Sequence, residues 1–439
     1  MLKKIFLCVS IGVFSFSFAQ NIDKEKLDNY FKALDSEHKV MGSFAIADHG
    51  KIIYSNAIGF SDVEARKKAD LNTVYRIGSI TKTFTAVLIM KAVEDKKLTL
   101  DTPLSQFFPQ IKNAEKIKVE NLLNHRSGIH NFTDDALYAS YYLQPVSKEK
   151  LIDIIQKAGS DFEPGVQFSY SNSNYSLLGF ILEKVYKKSY AKLIEEFIAK
   201  PLQLKYTKAG GKIEYLENMA HSYTYENGNY VRSAETDMSV PLGAGNLVST
   251  PSELIIFINA LASGKLISRE SLDKMRNFKD HYGFGLAEVP FMGKTGFGHN
   301  GEIDHFSSIL YYFPDGEKTF AMISNQSNFD NNNISITALS AAYGKSFEIP
   351  NFNVVNLPES ELQKFTGTYA AAQMPMKITI FIKDKVLMAQ ATGQGAFPLE
   401  ATSQTSFKFD AAGIVIDFDV TKRQLLILQG GNKVKFIKE

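Results

Sequence analysis

Ser79-Ile80-Thr81-Lys82 puts a hydroxyl and an amine three residues apart at the start of an apolar run. On a helix that spacing brings both side chains to one face, within reach of each other. A serine hydroxyl is a weak nucleophile until a neighbouring base takes its proton. A lysine can be that base only if burial or nearby positive charge lowers its pKa well below about 10.4. The plainer reading is a serine cap with a solvated lysine in the first turn, and the motif alone does not exclude it. Tyr170-Ser171-Asn172 adds a phenol able to relay a proton and an amide able to accept from Lys82 while donating to a substrate carbonyl. Taken alone it is equally a turn before a helix. His299-Asn300-Gly301 precedes the strand candidate Phe306–Phe313, near an edge that would face a cleft. Gly301 lets a substrate approach the backbone, and the N–H of Glu302 could pair with that of Ser79 to hold an oxyanion. A loop histidine beside a turn glycine is the commoner explanation of such a triplet.

The three motifs occur in the order Ser-x-x-Lys, Tyr-x-Asn, then a basic residue two before Gly. In this the chain resembles class C serine β-lactamases, D-alanyl-D-alanine carboxypeptidases and related penicillin-binding-protein-like esterases. Further segments carry the resemblance: Tyr75 to Ser79, Leu122 to Gly128, Glu163-Pro164-Gly165, Pro201-Leu202, Gly243 to Thr250 and Gly298 to Gly301. It extends from about Asp23 to Tyr343. It implies that Ser79 is acylated, that Lys82 and Tyr170 handle protons, and that Asn172, His299, Asn300, Gly301 and Glu302 bind substrate. Two positions depart from the pattern. The family's third motif is often Lys-Thr-Gly, and Lys294-Thr295-Gly296 is present, but Gly301 rather than Gly296 keeps the five-residue spacing to the strand-opening Phe306. His305 stands where the family usually has Gly, so a side chain there narrows the cleft or reaches the substrate.

These residues need elements to hold them. Leu27, Tyr30, Phe31 and Leu34 repeat at helical spacing, which predicts a helix over Asp23 to His38. Ser43–Ala47 and Lys51–Ala57 flank Asp48-His49-Gly50 as strands of a hairpin. Ile80 to Glu94 is apolar on nearly every side, the pattern of a buried helix. Its N-terminus, with Ser79 and Lys82, favours developing negative charge. A second helix starts just after Asn172. Phe306–Phe313 and Thr319–Ser324, around Pro314-Asp315-Gly316, would rejoin the sheet begun at Ser43. A sheet built from both ends of a domain with helices inserted between gives two subdomains and a cleft. The expected class is therefore α/β: an antiparallel sheet flanked by helices, plus a helical subdomain, as in the β-lactamase/transpeptidase fold. The expected hydrolase domain is 20–347. A Pro-flanked polar linker, 348–358, leads to a period-two region, 359–439, read as a small antiparallel sheet or barrel.

Composition narrows the setting. Lys3 and Lys4, an apolar stretch from Ile5 to Phe18, and the small residues Ser17 and Ala19 before Gln20 read as a signal peptide over 1–19. Export to the periplasm or beyond follows as an expectation. Cys8, the only cysteine, lies inside that stretch, so the remaining chain depends on packing. Lys3 and Lys4 are the only charges before Gln20, so later charges balance, given 49 Lys and Arg against 47 Asp and Glu. Nothing there marks a nucleic-acid or membrane-surface partner, and no later window suits an integral anchor. His-Glu-x-x-His, Walker loops and Gly-x-Ser-x-Gly do not occur, and Gly243-Ala244-Gly245 lacks the third glycine of a dinucleotide fingerprint. No cofactor or metal is expected. The reading is an exported acyl-enzyme hydrolase of an amide or ester, its partner a small-molecule or peptide substrate, cell-wall peptide among them. Esterase or D-amino-acid peptidase activity is expected over β-lactamase activity, because His299 replaces a permanent cation. The competing class is a non-catalytic protein that keeps the fold to bind cell-wall peptide.

Overall fold

The periodic residues Leu27, Tyr30, Phe31 and Leu34 form the buried stripe of α1 (Lys24–Ser36), whose first turn is capped by the Asp23 carboxylate. The computed structural model describes residues 22–213, 218–372, 374–430 and 432–439. The proposed leader, 1–19, lies outside the described residues.

Six strands form the central sheet: β1 (Val40–Asp48), β2 (Lys51–Ile58), β3 (Ala287–Phe291), β4 (Lys294–Ile303), β5 (Phe306–Phe313) and β6 (Lys318–Ser327). The spatial order is β3-β4-β5-β6-β1-β2, antiparallel throughout, so the end of the domain pairs with its beginning. Alternation sends Phe44, Ile46, Ile309 and Met322 to one face, with α1 and α5 (Asn331–Ala342). Ala45, Ala47, Leu310 and Ile323 go to the other, with α2 (Thr81–Glu94), α3 (Asn172–Tyr186) and α4 (Pro251–Ala262). The nearly all-apolar α2 is buried, and its Phe84 stacks on Phe257 of α4 with centroids 3.6 Å apart. A helix enclosed like this cannot shift without opening the core, which makes it a stiff base for a reactive side chain.

Two local features differ from the sequence reading. Ser79 is not on α2 itself but in the 3-10 turn Gly78–Ile80 that feeds it. His299, Asn300 and Gly301 lie inside a ten-residue strand, β4, rather than in a loop before one. Gly296, Gly298 and Gly301 lower the strand propensity of that segment and hide it. Packing requires them: a Cβ on Gly298 would lie 1.9 Å from the Leu310 carbonyl oxygen.

After α5 the chain runs extended to a closed eight-stranded antiparallel barrel, from Gly367–Ala371 to Asn432–Lys438. Phe365, Tyr369, Ile378, Ile380, Phe407 and Phe418 fill it. The barrel is fastened to the sheet-and-helix body. Lys39 Nζ stands 2.7 Å from the Asp410 carboxylate, and the Asp330 N–H donates to the Asp410 carbonyl at 2.9 Å. Phe352 of the connecting segment packs against Phe329 and beneath the ammonium groups of Lys39 and Lys408. Among the described residues no helix is long and apolar enough to cross a membrane.

Candidate active site

Lys82 is fully buried, and its Nζ has three neighbours: Ser79 Oγ at 2.9 Å, Asn172 Oδ1 at 2.8 Å and the Ala244 carbonyl oxygen at 2.8 Å. The two carbonyl oxygens can only accept. A neutral amine spends its two N–H bonds on them and turns its lone pair to Ser79. Burial pushes the Lys82 pKa well below its ordinary value, which makes that neutral form accessible. The arrangement can therefore take a proton from Ser79 Oγ.

The Tyr170 hydroxyl faces Ser79, and its ring lies 4.8 Å from Lys82 Nζ. Burial raises its pKa, so the phenol stays protonated and suits proton donation rather than charge storage. The segment carrying it is held by His125. The Ser169 N–H donates to the His125 carbonyl at 3.0 Å, the Ser171 N–H donates to His125 Nδ1 at 3.1 Å, and the imidazole packs 4.3 Å from the Tyr170 ring. Asn172 opens α3, accepts from Lys82 and donates to Thr133 Oγ1 at 3.1 Å.

β4 passes directly behind Ser79. A Cβ on Gly301 would stand 2.2 Å from the Ile77 carbonyl oxygen and 2.7 Å from the Ser79 nitrogen. A Cβ on Gly78, at φ +48°, would likewise stand 2.8 Å from the Glu302 nitrogen. The strand and the nucleophile turn thus meet backbone to backbone, with the amides of Ser79 and Glu302 at the contact. β3 pairs with β4 only as far as Gly298, which leaves the edge from His299 to Ile303 unpaired on that side. Asn300, Glu302 and His305 line a cavity of about 1090 Å³ together with Ser79 and Asn172. His305, at φ +65°, occupies the β4–β5 turn, where glycine is favoured, and pairs with Ser233 Oγ at 3.0 Å.

His299 is buried beside Tyr170, with ring centroids 6.4 Å apart. Its Nδ1 lies 2.5 Å from the Asn300 carbonyl oxygen and must donate there, so Nε2 accepts from the Tyr282 hydroxyl at 2.9 Å. Burial, then the charge of Lys82, lowers its pKa to about 4, so the ring is neutral at pH 7. Lys294 sits at the far end of β4, paired with Asp315 and over the Tyr343 ring. Arg126 is paired with Asp280.

Sequence reasoning overlooked three contributors. Ala244, in the Gly243 to Thr250 segment that carries the resemblance, supplies a carbonyl to Lys82, a role its local sequence does not mark. Tyr282 orients His299, and nothing in its local sequence marks it. Arg76, within the Tyr75–Ser79 segment, is buried and pairs with Asp304 at 2.5 Å, fixing the turn beyond Glu302. His125 lies within the Leu122 to Gly128 segment, and its support of Tyr170 is a tertiary fact.

A serine–lysine–tyrosine cluster between an antiparallel sheet and a helical subdomain defines a serine hydrolase. The chain belongs to the Beta-lactamase family, whose model matches residues 27–343. It is 25% identical over 300 residues to the teichoic acid D-alanine hydrolase of Staphylococcus aureus, covering 65% of this chain and 74% of that protein. Among solved structures, the octameric penicillin-binding protein homologue from Pyrococcus abyssi matches 94% of this chain and 100% of its own, at TM-score 0.67 and 25% identity. The D-amino acid amidase from Ochrobactrum anthropi SV3, complexed with L-phenylalanine amide, matches 72% of this chain and 99% of its own, at TM-score 0.65 and 25% identity.

Proposed function

We propose that this protein hydrolyses an amide or ester of a D-amino acid through an acyl-enzyme on Ser79. Lys82 Nζ takes the Ser79 proton as Oγ attacks the carbonyl carbon. The oxyanion sits between the N–H groups of Ser79 and Glu302. Tyr170 donates its proton to the leaving amine or alkoxide as the carbonyl–heteroatom bond breaks, and is reprotonated from Lys82. Water then attacks the acyl-enzyme, gives up a proton along the same relay, and releases the acid with Ser79 restored. Asn172 and Asn300 line the acyl path, and the His299 ring lies beside Tyr170. The observation that carries the reading is the amine of Lys82 pinned by two carbonyl acceptors with its third direction on Ser79 Oγ. The names of the similar amidase and D-alanine hydrolase support the substrate class.

Esterase or D-amino-acid peptidase activity is favoured over β-lactamase activity. Lys294 and Arg126 are engaged elsewhere and His299 is neutral, so none of these three offers a free cation to a β-lactam carboxylate. We further assign 20–347 as the hydrolase domain, 348–358 as a linker and 359–439 as an accessory domain, and propose export after loss of 1–19. Lys3, Lys4 and the apolar Ile5–Phe18 support export.

A fluorophosphonate probe should label the protein once, on the peptide containing Ser79, and Ser79→Ala should abolish labelling. Labelling that survives the substitution rejects the assignment. Nitrocefin, a short-chain aryl ester and a D-alanyl peptide, compared by kcat/KM, test the preference. Efficient nitrocefin turnover with negligible ester hydrolysis would move the reading to a β-lactamase.

A further inference from the structure

The charges of the cleft are unevenly spent. Three carboxylates line the cavity: Glu302, Asp304 and Asp330. Asp304 is consumed by Arg76 at 2.5 Å and by the Thr236 hydroxyl at 2.6 Å. Asp330 caps α5 by accepting the Asn332 N–H at 2.9 Å. Glu302 is different: it is exposed, and its carboxylate has no hydrogen-bond or ion-pair partner among the described residues. The cations nearby are all occupied. Arg76 serves Asp304, Arg126 serves Asp280, and Lys82 is enclosed behind Ser79. Glu302 is therefore the cleft carboxylate left with neither a hydrogen bond nor an ion pair among the described residues.

Its position relative to the chemistry is set by strand geometry. Gly301 points at the nucleophile turn, so the Glu302 side chain leaves the opposite face of β4, with that of Asn300, into the cavity. The Glu302 backbone nitrogen is itself at the contact with the nucleophile turn. A carboxylate one side-chain length from that nitrogen falls beside the substituents of an acyl group held on Ser79. An anionic substituent there meets repulsion, whereas an ammonium gains a charge-assisted hydrogen bond.

Resting on the acyl-enzyme reading above, we propose that Glu302 selects substrates carrying a free ammonium next to the scissile carbonyl, such as amides and esters of unblocked amino acids. N-acylated substrates, including the penultimate residues of longer peptides, lack that charge and are disfavoured.

The test uses the full chain and protection of Ser79 from a fluorophosphonate, so it needs no turnover. D-Alaninamide and N-acetyl-D-alaninamide are compared as protectants of wild type and Glu302→Gln. The expected result is that D-alaninamide protects wild type at a concentration about tenfold lower or more, as loss of one hydrogen bond to a charged group implies. The ratio should fall towards one in Glu302→Gln, and Glu302→Lys should make N-succinyl-D-alaninamide the better protectant. Equal protection of wild type by both amides, no protection by the free amine, or a ratio unmoved in Glu302→Gln overturns the proposal. If Ser79 is not labelled at all, the acyl-enzyme reading fails instead.

Discussion

Lys82 illustrates how one residue acquires chemistry from its enclosure. Its amine is dry, faces two acceptors and has one direction left, towards Ser79. An arginine at this place cannot give up its proton, because its pKa exceeds about 12. Lys82→Arg should therefore lower kcat/KM by about 10²–10⁴-fold, the usual worth of a positioned proton acceptor. Circular dichroism should report an unchanged fold. Near-normal turnover in that variant would remove Lys82 from the proton path. The same enclosure makes the buried imidazoles sensors of acid. His125 and His299 are both held neutral by burial, His299 with a pKa of about 4. Unfolded, each would take up protons below about 6.5. The unfolded state thus binds more protons between those values, so stability is complete above about 6.5 and drains as pH falls towards 4. Urea unfolding at pH 7, 6 and 5 should give a declining free energy, and a flat profile would contradict the neutral assignment.

Among the elements, β4 decides the geometry of the site, because its backbone and that of the nucleophile turn touch. Adding one methyl at Gly301 puts carbon 2.2 Å from the Ile77 carbonyl oxygen and 2.7 Å from the Ser79 nitrogen, both backbone atoms. Gly301→Ala should separate the Glu302 amide from the Ser79 amide. Labelling of Ser79 should slow by about 10²–10³-fold, the scale of losing one oxyanion donor. A variant labelled at the wild-type rate would show that the strand does not contribute to the oxyanion site. The ends of β4 should also differ. Lys294 makes a surface ion pair, typically worth about 0–1 kcal/mol, so Lys294→Ala should leave activity within about twofold. His299→Ala removes the ring beside Tyr170 and frees the Tyr282 hydroxyl, and should depress activity far more. Comparable losses at the two positions would mean that the strand register has been misread.

For the whole molecule, the barrel and the hydrolase each have a closed apolar core, and contacts between them are few and mostly polar. A chain ending near Pro350 is therefore expected to fold and to melt cooperatively. It should still change in substrate use, because Ala411 of the barrel forms part of the cavity wall. Insolubility, or loss of a cooperative transition by calorimetry, would show instead that the barrel completes the hydrolase core.

The pairing of Ser79 with Lys82 is a short-range property legible in the chain, whereas Tyr170 joins them only through the order of the motifs and the family they resemble. Apolar periodicity sufficed for α1, for α2 and for the return of the chain to the sheet opened at Ser43. It also sufficed for the alternating pattern of the C-terminal region. The glycine-rich β4 was illegible, since its glycines reflect close approach to Leu310 and Ile77, residues that only folding brings near. Barrel closure was equally hidden, because pairing of its first and last strands joins segments about seventy residues apart. The neutrality of His299 and the lack of a partner for Glu302 belong to tertiary structure for the same reason. A side chain's type states which charges and hydrogen bonds it can carry; which it keeps depends on the dielectric and the partners that packing assembles around it.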